Sequence, residues 1–393
     1  MSTIRVTRFQ DQVQSHVRAL VRAIARWWRS IDRVLFIATG ALMLVGITLC
    51  FAASPVTATR LGLDDPLYFV ERQMLFFVPS IAILLGLTFL RPLQAKRLGV
   101  LVFMAAALLM VAGLVFGPEI NGAKRWLLVG GFSLQPSELM KPGFVMTAAW
   151  LLAEGARDKS FPGGLIALML YGVMSVLLLM QPDYGQWGLL TVIWTVMFFI
   201  AGWSWLWVVG LGIAAVIALI AGYQYAPHVA SRIDRFLNPG IGDNYQVDKA
   251  LETLANGGLF GKDFSGATQS IKYSLPDAHT DYIFAVAGEE AGFMLGALIV
   301  VLFATLVVRS FMRASGQSSI FMQTAICGLG ALIGFQAIIN MGVSLNLLPS
   351  KGMTLPFISY GGSSLIASAL TIGLLLSLTR KRRQHWTGRD QLP

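Results

Sequence analysis

Four carboxylates fall within one short apolar stretch, residues 275–293 (LPDAHTDYIFAVAGEEAGF): Asp277, Asp281, Glu289 and Glu290. A charged group in or near a bilayer core costs several kcal/mol unless it faces protein or water, so acids in such a place are read first as functional. For any one of them the plain alternative is a buried pair with Lys or Arg. Four together favour chemistry. If a helix starts near Asp281, a period of about 3.6 residues sets Ala285, Gly288 and Gly292 on the Asp281 face, a small-residue stripe that admits a close neighbour. Glu289 then lies about 12 Å deeper, at roughly 1.5 Å per residue, and Glu290 points to the opposite side. Asp281 stays near the water boundary. Before it, Pro276, Asp277, His279 and Thr280 read as a loop entering a helix N-terminus, where unpaired amides favour an anion.

Three further stretches carry groups of the same kind. Residues 121–142 (NGAKRWLLVGGFSLQPSELMKP) are too polar to span a membrane and too apolar to be free in water, so they read as interfacial. Trp126 suits the headgroup belt, and Lys124 with Arg125 form a cationic pair where a phosphate would be met. Gln135-Pro136-Ser137-Glu138 reads as a helix start, with Glu138 and Lys141 spaced to form an interfacial salt bridge. Asp183 sits in the turn QPDYGQ, at the same boundary as Asp281, and two acids on one rim point to a shared cavity. The segment 346–362 holds Lys351 and is broken by Pro349, Gly352, Pro356, Gly361 and Gly362. Irregular backbone of that kind is tolerated at membrane depth only where it lines a protein cavity.

The elements that must position these groups are membrane spans. With 393 residues, 55% hydrophobic, 13% charged and a mean hydropathy of +0.67, the chain is no soluble globule but an all-α polytopic membrane protein. About ten spans are expected, at 34–53, 74–90, 98–117, 142–153, 163–181, 186–202, 203–222, 282–308, 321–345 and 355–379. One large extracytoplasmic loop, 223–281, separates the seventh from the eighth. The chain thus divides into a basic N-terminal segment 1–33, a membrane domain 34–379 and a basic tail 380–393.

Arginines crowd the N-terminal segment from Arg5 to Arg33, and Arg91, Lys96, Arg97, Arg157, Lys159, Arg309, Arg313 and Arg380 to Arg383 fall on the same side. An excess of Lys and Arg marks the cytoplasmic side, so both termini are expected there. The net charge of +10 is then a topology and anionic-lipid signal, with no nucleic-acid footprint. Val17, Leu20, Val21, Ile24, Trp27 and Trp28 oppose these arginines on what reads as an amphipathic helix at the membrane surface. Cys50 and Cys327 lie inside expected spans and read as small apolar packers. No P-loop, HExxH or GxSxG motif is present, which excludes nucleotide hydrolysis, zincin and α/β-hydrolase chemistry.

From residues alone the chain is an outward-facing cavity with carboxylates at Asp183 and Asp281 and cations at Lys124, Arg125 and Lys351. Its ligand is an amphiphilic anion, a lipid-linked phosphate, which the protein either moves or reacts. A carrier would place its ion sites at Glu289 and Glu290. A scaffold would do no chemistry.

The blocks KRWLLVGGFSLQPSELMKP, QPDYGQ, RIDRFLNPG with Tyr245-Gln246, NGGLFG, LPDAHTDYIFAVAGEEAGF and LLPSKGMTLPFISYGGSS, in this order, resemble the SEDS (shape, elongation, division and sporulation) family of bacterial cell-wall polymerases. The likeness runs from Val34 to Thr379, and the long basic N-terminal segment is more similar to the family's division member than to its elongation member. The resemblance implies a ten-span peptidoglycan glycosyltransferase that polymerises lipid II outside the cytoplasmic membrane, at the division septum. Its implied partners are a class B penicillin-binding protein and other division proteins. The family's essential acid falls on Asp281, its conserved Glu and Lys on Glu138 and Lys141, and its QPD acid on Asp183. One departure is visible: Lys262-Asp263 follows Gly261 where relatives usually continue with a further Gly. Asp281 would be the base for an acceptor hydroxyl, with Lys124, Arg125 and Lys351 charging the pyrophosphate leaving group. No cofactor is implied with certainty, though a divalent cation could share that last task.

Overall fold

A computed structural model describes residues 21–120, 122–203, 245–265, 269–349 and 352–381, with scattered positions between 14 and 19 and between 206 and 234. Its membrane helices are α1 (Arg33–Arg60), α2 (Tyr68–Leu87), α3 (Pro92–Phe116), α4 (Pro136–Arg157), α5 (Gly163–Met180) and α6 (Tyr184–Ile200). After a loop helix α7 (Tyr245–Asn256) come α8 (Ile283–Ser315), α9 (Ile320–Ser344) and α10 (Gly362–Thr379). Among the described residues, seven of these are long and apolar enough to cross a membrane. The chain is therefore a multi-pass, all-α membrane protein. α6 is apolar but shorter, and α4 carries Glu138, Lys141, Glu154 and Arg157. The span expected at 203–222 lies largely outside the described residues.

Three expectations change. The fourth span starts at Pro136, not 142, because Gln135 takes an extended conformation before a proline at the first helical position. That draws Glu138 and Lys141 into the bundle interior. The last span starts at Gly362 instead of 355, and residues 352–361 form an irregular segment inside the protein. Part of the interfacial stretch is a β-hairpin, β1 (Leu127–Val129) against β2 (Phe132–Leu134). Gly130 (φ 58°) and Gly131 (φ 81°) supply the two positive φ values that a tight turn between twisted strands needs.

α4, α9 and α10 form the inner layer. Almost every residue of α4 from Pro136 to Leu152 is buried, as are most of α9 and all of α10 from Ser363 to Thr379 except Ile366. Phe103, Phe144, Trp194 and Tyr171 make an aromatic seam through α3, α4, α6 and α5, with Tyr171 stacked on Trp194 at 5.5 Å. Gly46 of α1 is needed for close approach: a Cβ there would come within 2.1 Å of the Phe357 carbonyl oxygen, so the irregular segment presses directly on α1.

At the end of the bundle that holds Arg33 and Thr379, Asp32 is fully buried and caps α1, accepting from the amides of Val34 and Leu35. Arg309 (3.0 Å) and Arg313 close on the same carboxylate from the end of α8. Burial pushes the Asp32 pKa up, but the Arg313 and Leu35 hydrogen bonds and both guanidinium charges hold it below the usual carboxylate range. The helical segment 21–30 docks beside it, with Trp27 Nε1 donating to Thr88 Oγ1 at 2.9 Å and Arg380 donating to Ser30 Oγ at 2.8 Å.

Candidate active site

At the other end of the bundle the polar groups bind backbone that is not helical. Asp277 takes φ 50°, a left-handed value that Asp tolerates, and its carbonyl accepts from the amides of Thr280, Asp281 and Tyr282. This tight turn delivers Asp281 one residue before the N-cap of α8, which is Tyr282 with no side-chain cap bond. The Asp281 carboxylate is half-buried and faces the irregular segment: a Cβ on Gly352 would lie 3.3 Å from Asp281 Oδ2.

The turn and the irregular segment are tied together by hydrogen bonds. Tyr360 N donates to His279 O at 2.8 Å, and Ser359 Oγ donates to Thr280 O at 2.5 Å while accepting from Leu355 N at 2.8 Å. Asn340 Nδ2 donates to both Asp281 O (2.9 Å) and Met353 O (2.7 Å). Gln73 of α2 reaches in from the side, accepting from Gly361 N at 3.2 Å. His279 Nδ1 meets Thr57 Oγ1 at 3.1 Å, and the ring lies against Phe69 and Tyr360. Burial pushes its pKa down to about 4, so it is neutral near pH 7.

A second set of buried polar side chains lies on α4, α6 and α9. Glu138 and Lys141 pair at 2.9 Å with 5% and 1% of their side chains exposed. The interfacial salt bridge expected from the spacing is thus an interior ion pair, strongly costly to break from either side. Gln186 Nε2 donates to Glu138 Oε1 at 2.5 Å, and Lys141 Nζ donates to Gln336 Oε1 at 3.0 Å. Asp183 caps α6 by accepting from Gln186 N and also accepts from Gln135 Nε2. Burial raises its pKa, against the opposing pull of Arg125 and the Gln186 amide.

Of the expected cations, Arg125 donates to the carbonyls of Gln181 (3.0 Å) and Pro182 (2.9 Å), with Asp183 at 3.8 Å. It grips the turn that holds Asp183. Lys124 is exposed, and Lys351 lies outside the described residues. Among the described residues no group of three His, Cys, Asp or Glu is placed to hold a metal ion.

Glu289 and Glu290 belong to a third arrangement. α8 is broken at Ala291 and Gly292, where φ of Gly292 is 69°. The loop after α7 fills the break: Phe293 N donates to Gly258 O at 2.9 Å and Met294 N to Leu259 O. Glu289 accepts from Asn256 Nδ2 (2.8 Å), Ile271 N (2.7 Å) and Lys272 N (2.8 Å). Glu290 pairs with Lys272 at 2.5 Å and with Lys262 at 3.8 Å. Leu254 packs against Gly288, and the Gly288 carbonyl leaves no room for a Cβ on Gly257. Both glutamates pin the loop to α8. Lys262, the departure noted above, takes part in this anchoring.

The sequence of the chain matches the cell cycle protein family that takes in FtsW, RodA and SpoVE over residues 32–384. The chain belongs to this family. It is 42% identical over 361 residues to a probable peptidoglycan glycosyltransferase FtsW of Caulobacter vibrioides, covering 92% of each chain. It is 34% identical over 364 residues to the stage V sporulation protein E of Bacillus subtilis, covering 90% of this chain and 98% of that one. Among solved structures it is similar to a chain described under structural coordination of polymerization and crosslinking by a peptidoglycan synthase complex. That match has a TM-score of 0.75 at 30% identity over 91% of this chain and all of the other. The rod shape determining protein RodA of Thermus thermophilus matches with a TM-score of 0.66 at 27% identity, over 90% and 97% of the two chains.

In this FtsW, RodA and SpoVE family member the structure brings Asp281, His279, Pro356, Gly361 and Gly362 to one segment contact, and Glu138, Lys141, Asp183 and Arg125 to one polar network. Gly362 starts α10 with Phe76 against it, and Pro356 is buried in the irregular segment. Sequence reading missed Gln73, Gln186, Gln336, Asn340 and Thr354, whose bonds join these groups. The signal was present. Gln336 and Asn340 are uncharged amides one helical turn apart in an otherwise apolar span, and a search confined to charged groups passes them over.

Proposed function

We propose that the chain is a peptidoglycan glycosyltransferase that polymerises lipid II at the outer face of the cytoplasmic membrane during cell division, with Asp281 as general base. The observation that carries the reading is the placement of Asp281. Its backbone is pinned by Asn340 and the Asp277 turn, and its half-buried carboxylate lies against Gly352 of the irregular segment. A partly exposed carboxylate on a pinned backbone, at the entrance of a membrane helix, is placed to take a proton from a hydroxyl brought to it.

The acceptor's 4-hydroxyl is a poor nucleophile until its proton is taken. As Asp281 removes it, the oxygen attacks the anomeric carbon of the lipid-linked growing chain. The new glycosidic C–O bond forms, the bond from that carbon to the pyrophosphate oxygen breaks, and undecaprenyl pyrophosphate leaves with the electron pair. One displacement inverts the anomeric centre and needs a single carboxylate with leaving-group stabilisation. Lys124, exposed beside the hairpin, and Lys351 are the cations assigned to the pyrophosphate, and no step is routed through a metal. Arg125 holds the Asp183 turn and would add its charge beside them.

Names carried by relatives support this reading, as does a solved neighbour whose description couples polymerization to crosslinking. A class B penicillin-binding protein is the partner that this coupling implies, and both termini are assigned to the cytoplasm by the basic residues at that end of the bundle. Purified protein, with and without the class B partner, should convert lipid II to glycan strands. Failure in both settings, with lipid II moved across vesicles instead, overturns the enzyme in favour of a carrier. Cysteines placed at Asn244 and Gln317 test the orientation: only the first should react with an impermeant thiol reagent added to spheroplasts.

A further inference from the structure

We infer that Gln336 and Asn340 of α9 are positioning residues for glycosyl transfer: they lock the 352–354 segment onto Asp281 and join it to the interior Glu138–Lys141 pair. The inference deepens the reading of Asp281 as the base and rests on it. Four residues apart, the two amides lie one above the other on the same face of α9. Both are buried, at 3% and 1% exposure, in a helix that is otherwise apolar along most of its length. An amide in such a place is costly unless it is bonded, so its partners say what it is there for.

Those partners are consecutive. Asn340 Nδ2 donates to Met353 O at 2.7 Å, and Gln336 Nε2 donates to Thr354 O at 3.2 Å and Thr354 Oγ1 at 3.4 Å. Two adjacent residues of an irregular segment are thus held by side chains from one rigid helix. Each amide also has a second attachment. Asn340 Nδ2 donates to Asp281 O at 2.9 Å, and Gln336 Oε1 accepts from Lys141 Nζ at 3.0 Å. Thr354 Oγ1 closes the set at 2.6 Å from Ser364 Oγ, on the first turn of α10.

Gly352, the neighbour of the Asp281 carboxylate, begins the segment that these bonds fix. Its position relative to Asp281 is therefore set from α9, and through Gln336 from the Glu138–Lys141 pair and Gln186 behind it. Misplacement of a reacting group by about 1 Å can cost on the order of 10²-fold in rate, and this arrangement removes that freedom.

The test uses the full-length protein with its class B partner, lipid II as substrate, and two independent variants. Gln336→Met keeps the volume and deletes both attachments. Asn340→Asp keeps the shape and deletes the donor. Hydrogen exchange should quicken in peptides covering 352–361 and 279–282 while the peptide covering α3 is unchanged. Turnover should fall about 10-fold to 10²-fold with KM close to that of the parent. A purely structural amide would lower the yield of folded enzyme and leave turnover per folded molecule alone. Unchanged exchange in both peptides, or quickened exchange with parental turnover, overturns the inference; either variant suffices if the other does not fold. Asp281→Asn, run alongside, separates the two claims. If that variant turns over normally, the base assignment fails, while the exchange data still decide whether α9 fixes the segment.

Discussion

Asp32 and Asp281 both stand just ahead of a long membrane helix, at opposite ends of the bundle, and are used in opposite ways. Asp32 is saturated: its carboxylate caps α1 and receives Arg309 and Arg313, so a single acid ties the start of α1 to the end of α8. Asp281 is held by its backbone, through the Asp277 turn and Asn340, and its half-buried carboxylate lies beside Gly352 of a non-helical segment. A carboxylate whose lone pairs are all committed to protein donors stabilises the fold and can take no proton from a substrate. One whose main chain is fixed and whose side chain is half exposed can meet a substrate. The difference lies in which atoms of the residue are used, and residue type does not reveal it.

The comparison breaks first at Asp281. Asp281→Asn should cut polymerisation of lipid II by about 10²-fold to 10⁴-fold with melting temperature unchanged, since the substitution is nearly isosteric and removes a proton acceptor. A large loss of stability instead would put Asp281 in the same class as Asp32. Asp32→Ala is the mirror experiment. It leaves two guanidinium groups and two α1 amides without their acceptor, at a cost of about 3–5 kcal/mol, seen as loss of detergent-stable protein. Whatever folds should polymerise at the parental rate.

Lys141→Met sharpens the contrast, because the Glu138–Lys141 pair is buried like Asp32 but lies on the Asp281 side of the bundle. Stranding Glu138 should also cost about 3–5 kcal/mol, and turnover per folded molecule should drop as well, through Gln336. Arg125→Met comes next in size. It releases the Gln181 and Pro182 carbonyls and should lower stability by about 1–3 kcal/mol, whereas Lys124→Met, at an exposed site, should leave the melting temperature alone and slow turnover.

A further effect is set by pH. His279 titrates near pH 4 in the fold and near 6.5 when unfolded. Between these values the unfolded chain binds more protons, so the contribution of His279 to stability is intact above about pH 6.5 and is lost as pH falls toward 4. Melting curves of His279→Asn should be flatter over that interval than those of the parent. Identical slopes would show that the ring is not held neutral by its burial against Thr57, Phe69 and Tyr360.

Much of the architecture was legible because bilayer thickness dictates helix length. The spans around α1, α3, α5, α6, α8 and α9 follow from apolar runs alone, and the irregular character of 346–362 follows from Pro349, Gly352, Pro356 and the Gly361-Gly362 pair. The errors have a common origin. α4 was read as short because Glu138 and Lys141 looked too polar for the membrane, and hydropathy scores each residue as though it met lipid. Paired with each other and with Gln186 and Gln336, they meet none. Glu289 and Glu290 find their partners in the 256–272 loop, which no local pattern around them indicates.

The sequence by itself determined the membrane class, the family and the position of Asp281 at a helix entrance, because these depend on local composition, period and order along the chain. Tertiary structure alone decided which partners each carboxylate and its backbone meet. Asp32 is claimed by residues 277 and 281 positions away, and the Asp281 loop is fixed by an asparagine 59 positions away. Hydrogen bonds between groups so far apart in the chain exist only once the helices have packed. The free energy that separates an anchor from a base comes from those bonds, so no local reading of the chain can assign it.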